Sequence, residues 1–122
     1  MPKKESFIVN RLKSVGFAYK GAILLITKES SIKIQCVIAI ALTIAGFYFD
    51  ISRTEWLIQL LAIAIVIGIE GVNTAIEELA NFIHPEFHKK IGYIKDVAAG
   101  AVFIAAICAT IIGFTIYLPK IF

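Results

Sequence analysis

Charge is scarce in this chain, and so is cysteine. Of 122 residues only 17% are Asp, Glu, Lys or Arg, and the cysteines number two. Cys36 and Cys108 each sit inside an apolar run, a spacing that fits neither a disulfide framework nor a metal site. They read as small apolar packing residues. The two histidines, His84 and His88, are four apart with Pro85 between them, and no third histidine exists to complete a zinc site. Nowhere does the sequence carry G-x-x-x-x-G-K-[ST], the H-R-D and D-F-G pair, or G-x-S-x-G. That excludes the common soluble nucleotide-binding loops and the nucleophile elbow. No internal repeat, low-complexity tract or linker occurs, so the chain reads as one domain, 1–122.

What is present is apolar. The hydrophobic fraction is 59% and the mean hydropathy +0.86, well above the roughly 45–50% apolar share of soluble domains. The few charges cluster and leave long charge-free runs, which read as membrane spans. Lys3, Lys4, Arg11, Lys13, Lys20, Lys28 and Lys33 precede or flank the first run. They form no aromatic-interleaved basic stripe, so a nucleic-acid partner is not expected. Anionic lipid headgroups explain them better. No short apolar core with a small-residue cleavage site follows the opening lysines, unlike a cleavable signal peptide.

An all-α membrane protein follows. Over residues 6–27, Ile8, Leu12, Val15, Tyr19, Ile23 and Ile26 recur at three- and four-residue spacing with polar residues between. That pattern predicts an amphipathic helix suited to the membrane interface. Spans are expected over 32–49, 56–76 and 97–118. The second run has only 14 uncharged residues, Trp56 to Ile69, whereas crossing a bilayer takes about 20. The helix must therefore continue through Glu70, which places that carboxylate on the order of 8 Å inside. Polar sequence from Glu77 to Asp96 is expected to leave the membrane, with Pro85 and Gly92 as breakers. Pro119 and Lys120 should close the last span. Lysine and arginine bias puts the N-terminus and the 77–96 segment in the cytoplasm and the C-terminus outside, as for a multi-pass protein of a bacterial cytoplasmic membrane.

Glu70, Asn73 and Glu77 fall at i, i+3 and i+7 and so share one helix face, with Thr74 and Asn81 close by. A carboxylate within a span costs about 2.5–3.5 kcal/mol on insertion scales and marks a functional candidate. Glu29 stands at the junction between the surface helix and the first span. Glu86, His88, Lys95 and Asp96 border the same end of the bundle. Carboxylates there suit Mg²⁺, which prefers oxygen ligands and bridges phosphates. Lys95 and Arg11 suit phosphate oxygens.

The segment Glu70-Gly-Val-Asn73-Thr74-Ala75-Ile76-Glu77, followed by Lys95-Asp96-Val-Ala-Ala-Gly-Ala, resembles the small prokaryotic diacylglycerol kinase and undecaprenol kinase family. Arg11, Lys20-Gly21, Glu29, three spans and a surface helix extend the resemblance over nearly the whole chain. It implies a homotrimeric lipid kinase that uses Mg²⁺ and ATP, with sites shared between protomers. Glu29 and Glu77 would bind the metal, Glu70 would act as base towards the lipid hydroxyl, and Asn73 would orient groups in the site. Arg11, Phe17, Glu86, His88, Lys95 and Asp96 would contact the nucleotide. Gln35, Asn81 and Phe17 depart from the commoner acidic, aspartate and tyrosine residues. Diacylglycerol is the first-choice acceptor and undecaprenol the second. A small proton- or cation-coupled transporter subunit is the non-enzyme alternative, but it leaves Glu29, Glu77, Lys95 and Asp96 unused.

Overall fold

A computed structural model describes residues 6–122, so Lys3 and Lys4 lie outside the described residues. Four helices follow one another: α1 (Phe7–Lys28), α2 (Ser30–Tyr48), α3 (Arg53–Ile83) and α4 (Lys89–Ile121). The last three are each long and apolar enough to cross a membrane. Many large apolar side chains on them face outward, among them Ile34, Ile40, Leu60, Ile104 and Ile111. In water such exposure would oppose folding; in lipid it costs nothing.

Local chemistry sets the ends of these helices. Ser6 caps α1 by accepting from Val9 N at 3.2 Å. Glu29, in extended conformation, separates α1 from α2. After Tyr48 the chain turns with Asp50 at φ 50°, while Ile51 N donates to Gly46 O and Asp50 N to Phe47 O. This is a Schellman closure with an aspartate in the left-handed position that glycine usually takes. Ser52 and Glu55 then form a reciprocal capping box that starts α3.

α3 packs against both α2 and α4. Near the turn, Ile51, Ile116 and Tyr117 form a core with Leu42, Ala45, Phe49, Trp56 and Ile112 around it. Gln59, which is buried, donates from Nε2 to Leu42 O at 3.2 Å. The Tyr117 hydroxyl donates to Gln59 Oε1 at 2.5 Å and lies 3.1 Å from Leu42 O. One polar link therefore ties all three long helices together. Lys120 and Glu55 add an ion pair at 3.0 Å at the same end. We call this the Asp50 end and the other the Glu77 end.

Gly46 of α2 packs directly against the Trp56 ring of α3. A Cβ there would stand 2.5 Å from the Trp56 ring. Gly46→Ala is expected to destabilise the fold by about 1–3 kcal/mol, the usual cost of overpacking. Unfolding in detergent followed by the Trp56 signal measures it, and an unchanged midpoint would show that the indole moves aside freely.

The structure corrects several boundaries. α3 does not stop near residue 76 but runs to Ile83, because Glu77, Glu78, Leu79 and Ala80 are good helix formers and nothing interrupts them. The break comes at His84, whose backbone leaves the helical region (φ −147°, ψ 86°), as a residue before proline is driven to do. The connection is therefore residues 84–88, not 77–96. Gly92 is no breaker; it lies within α4. Pro119 does not end α4 either. Sitting in the last turn, it forfeits one backbone hydrogen bond, and the helix continues to Ile121. α1 covers the residues expected of the first helix, and none of its side chains is buried.

Candidate active site

The continuation of α3 past the apolar run is what assembles the site. At 31 residues the helix is about 46 Å long, well beyond a hydrocarbon core of about 30 Å. Its later part carries Glu70, Asn73, Glu77 and Asn81 along one row. Asn73 Nδ2 donates to Glu77 Oε1 at 3.2 Å, one turn apart. Glu70 Oε2 and Asn73 Oδ1 are both buried with no hydrogen-bond partner. Leaving a buried acceptor unpaired costs about 1–3 kcal/mol. Two such acceptors, three residues apart on one face, suit a ligand that brings its own hydroxyl proton.

α1 and α4 close in on this row. Leu25 packs over Gly71, where a Cβ would come within 3.0 Å of its Cδ1. Glycine beside Glu70 thus lets the last turn of α1 lie against α3. Glu29 follows one turn after Leu25, half-buried, and its side chain makes no capping bond. From α4, Lys95 Nζ donates to Asn81 Oδ1 at 2.6 Å. This bond anchors the start of α4 to the end of α3 and holds an ammonium four residues beyond Glu77. Asp96 is next in sequence and exposed.

The connection 84–88 is shaped by its own polar groups. His84 Nδ1 lies 2.6 Å from Glu86 O, and His88 Nδ1 accepts from Lys90 N at 3.1 Å. The two imidazoles meet edge to face at 5.2 Å. Glu86 and His88 are exposed there.

Not every expected residue is drawn in. The Arg11 guanidinium sits over the Phe7 ring at 5.9 Å and lies 3.5 Å from Ser14 Oγ, contacts confined to α1. Phe17 is 73% exposed and stands about 12 Å along the helix from Leu25. Among the described residues no three His, Cys, Asp or Glu side chains form a metal cage. Mg²⁺ does not require one, since it takes one or two carboxylates and completes its shell with phosphate and water. The exposed Glu77, held by Asn73, fits that role. Sequence reasoning missed the Asn81–Lys95 bond and the Gln59–Tyr117 link. For the latter the available signal was a lone glutamine inside an apolar run.

Comparison with known proteins decides the family. A model of prokaryotic diacylglycerol kinases matches residues 16–117. The chain belongs to that family. The undecaprenol kinase of Bacillus subtilis (strain 168) is 38% identical over 93 residues, covering 76% of each chain. The diacylglycerol kinase of Escherichia coli (strain K12) is 26% identical over 100 residues, covering 82% of each. That of Synechocystis is 27% identical over 113 residues, which cover 92% of this chain and 65% of the relative. As a member of this kinase family the chain is a lipid kinase, and its three long apolar helices make it an integral membrane protein.

Proposed function

We propose that the chain transfers the γ-phosphoryl group of ATP to the hydroxyl of a lipid alcohol, with Glu70 as the general base. The observation that carries this reading is the pair of buried, unpartnered acceptors, Glu70 Oε2 and Asn73 Oδ1, on the row that leads to Glu77. A lipid hydroxyl reaching Glu70 donates its proton to the carboxylate, while Asn73 holds it in line. The acceptor oxygen bonds to the γ-phosphorus as the bond to the β–γ bridging oxygen breaks, and ADP leaves. Such transfer depends on positioning and charge stabilisation more than on covalent catalysis. Mg²⁺, held by Glu77 and Glu29, would neutralise charge on the phosphates. Lys95 and Arg11 add positive charge, and Phe17, Glu86, His88 and Asp96 contact the nucleotide.

The whole chain, 1–122, acts as one kinase domain in a cytoplasmic membrane, with the Glu77 end facing ATP in the cytoplasm and α1 along the interface. A homotrimer with shared sites accounts for Arg11 and Phe17, whose contacts lie away from Glu70 in a single chain. Mixing Glu70→Gln with Asp96→Asn subunits should then restore transfer that neither variant has alone. Absence of any restoration would place each site within one chain.

For the acceptor, the motif does not separate the two alcohols, and the 38% identity to an undecaprenol kinase favours undecaprenol over diacylglycerol, the first choice from the sequence. Membranes holding the chain, given γ-labelled ATP, Mg²⁺ and both alcohols, should label undecaprenyl phosphate. Label confined to phosphatidic acid would return diacylglycerol to first place.

A further inference from the structure

We infer that the groove between α2 and α4 is a binding site for the isoprenoid tail of a long-chain polyprenol. This deepens the proposed function and rests on Glu70 receiving the hydroxyl. The groove encloses about 440 Å³, within the roughly 300–1,000 Å³ typical of ligand sites. Its floor is the face of α3 that presents Gln59, Ile63, Val66 and Ile67. Glu70 is the next residue on that row, about 4.5 Å further along the axis from Ile67. The groove lining ends at Ile67, one turn short of Glu70 on the same helix face, and a tail attached at Glu70 has about 16 Å of α3 before Gln59. There the Gln59–Tyr117–Leu42 link joins α2, α3 and α4.

The walls fit a branched chain. Ala39 on α2 and Ala109, Thr110 and Gly113 on α4 alternate with larger aliphatic residues. Small residues in such walls leave side recesses for the methyl branches of successive isoprene units. The lining is mostly hydrocarbon; of its polar members, Tyr117 donates to Gln59, Thr110 Oγ1 donates to Ala106 O, and Gln35 completes the set.

Two measurements test this. In the first, the wild-type protein in detergent is irradiated with undecaprenol carrying a benzophenone on the second or third isoprene unit from the hydroxyl, and labelled peptides are mapped. Label should fall on the groove walls around Ala39 and Thr110, and drop in Ala39→Phe and Thr110→Phe. This readout needs no turnover, so it stands even if the kinase reading fails. In the second, those variants are assayed with undecaprenol and with 3-methylbut-2-en-1-ol, whose single isoprene unit leaves the groove empty. KM for undecaprenol should rise about tenfold or more, as for a blocked apolar pocket, with KM for ATP and for the one-unit alcohol unchanged. Label spread over the outer helix faces, or equal effects on both alcohols, overturns the inference. Exclusion of label together with disulfide formation between copies at Thr110→Cys, in a Cys36→Ala, Cys108→Ala background, would assign the groove to a second copy and overturn it as well.

Discussion

Glu70→Gln is expected to lower phosphate transfer by about 10²–10⁴-fold, the usual contribution of a positioned general base, while leaving ATP binding intact. Glutamine matches glutamate in size, so the packing of α3 against Leu25 and the position of Asn73 are retained. What is lost is the capacity to accept a proton. The amide also places a donor where Glu70 has a buried acceptor with no partner, so it binds the acceptor hydroxyl in the wrong sense. The defect should therefore appear in kcat with ATP affinity near wild type. Loss of ATP affinity with normal kcat would move Glu70 from proton transfer to nucleotide binding.

A second large effect is expected from Glu77→Gln. Here the oxygen that accepts from Asn73 Nδ2 survives the change, so the local geometry holds and only the charge goes. If Glu77 carries Mg²⁺, the concentration needed for half-maximal transfer should rise on the order of 10–100-fold, as when carboxylates around a metal are altered. Glu77→Ala should do worse, because it also frees Asn73. Titrating Mg²⁺ at saturating ATP distinguishes the cases. A lowered rate with an unchanged Mg²⁺ midpoint would show that Glu77 positions Asn73 and does not serve the metal.

The spans were legible because a bilayer imposes a length on uninterrupted apolar sequence, and runs such as Val97–Leu118 satisfy it without help from tertiary contacts. The site's central row was legible for a similar reason. Glu70, Asn73 and Glu77 share one helix, so spacing alone fixes their common face. The end of α3 was not legible in the same way, since Glu77 to Ile83 is polar enough for a loop yet made of helix formers. Only His84-Pro85 stops it. Contacts between helices were further out of reach. Tyr117 and Gln59 are 58 residues apart, and Lys95 finds Asn81 only because the short 84–88 connection brings α4 back beside α3. The lone Gln59 in an apolar run signals a buried polar contact, but the partner in either pairing leaves no local trace in the sequence.

The central claim is that a carboxylate within a membrane helix deprotonates a lipid alcohol for attack on ATP. Purified wild-type and Glu70→Gln protein should be compared in mixed micelles with γ-labelled ATP, Mg²⁺ and undecaprenol, with ATP binding measured in parallel. The account predicts labelled undecaprenyl phosphate from the wild type alone and equal ATP binding by both. Near-normal transfer by Glu70→Gln would contradict it.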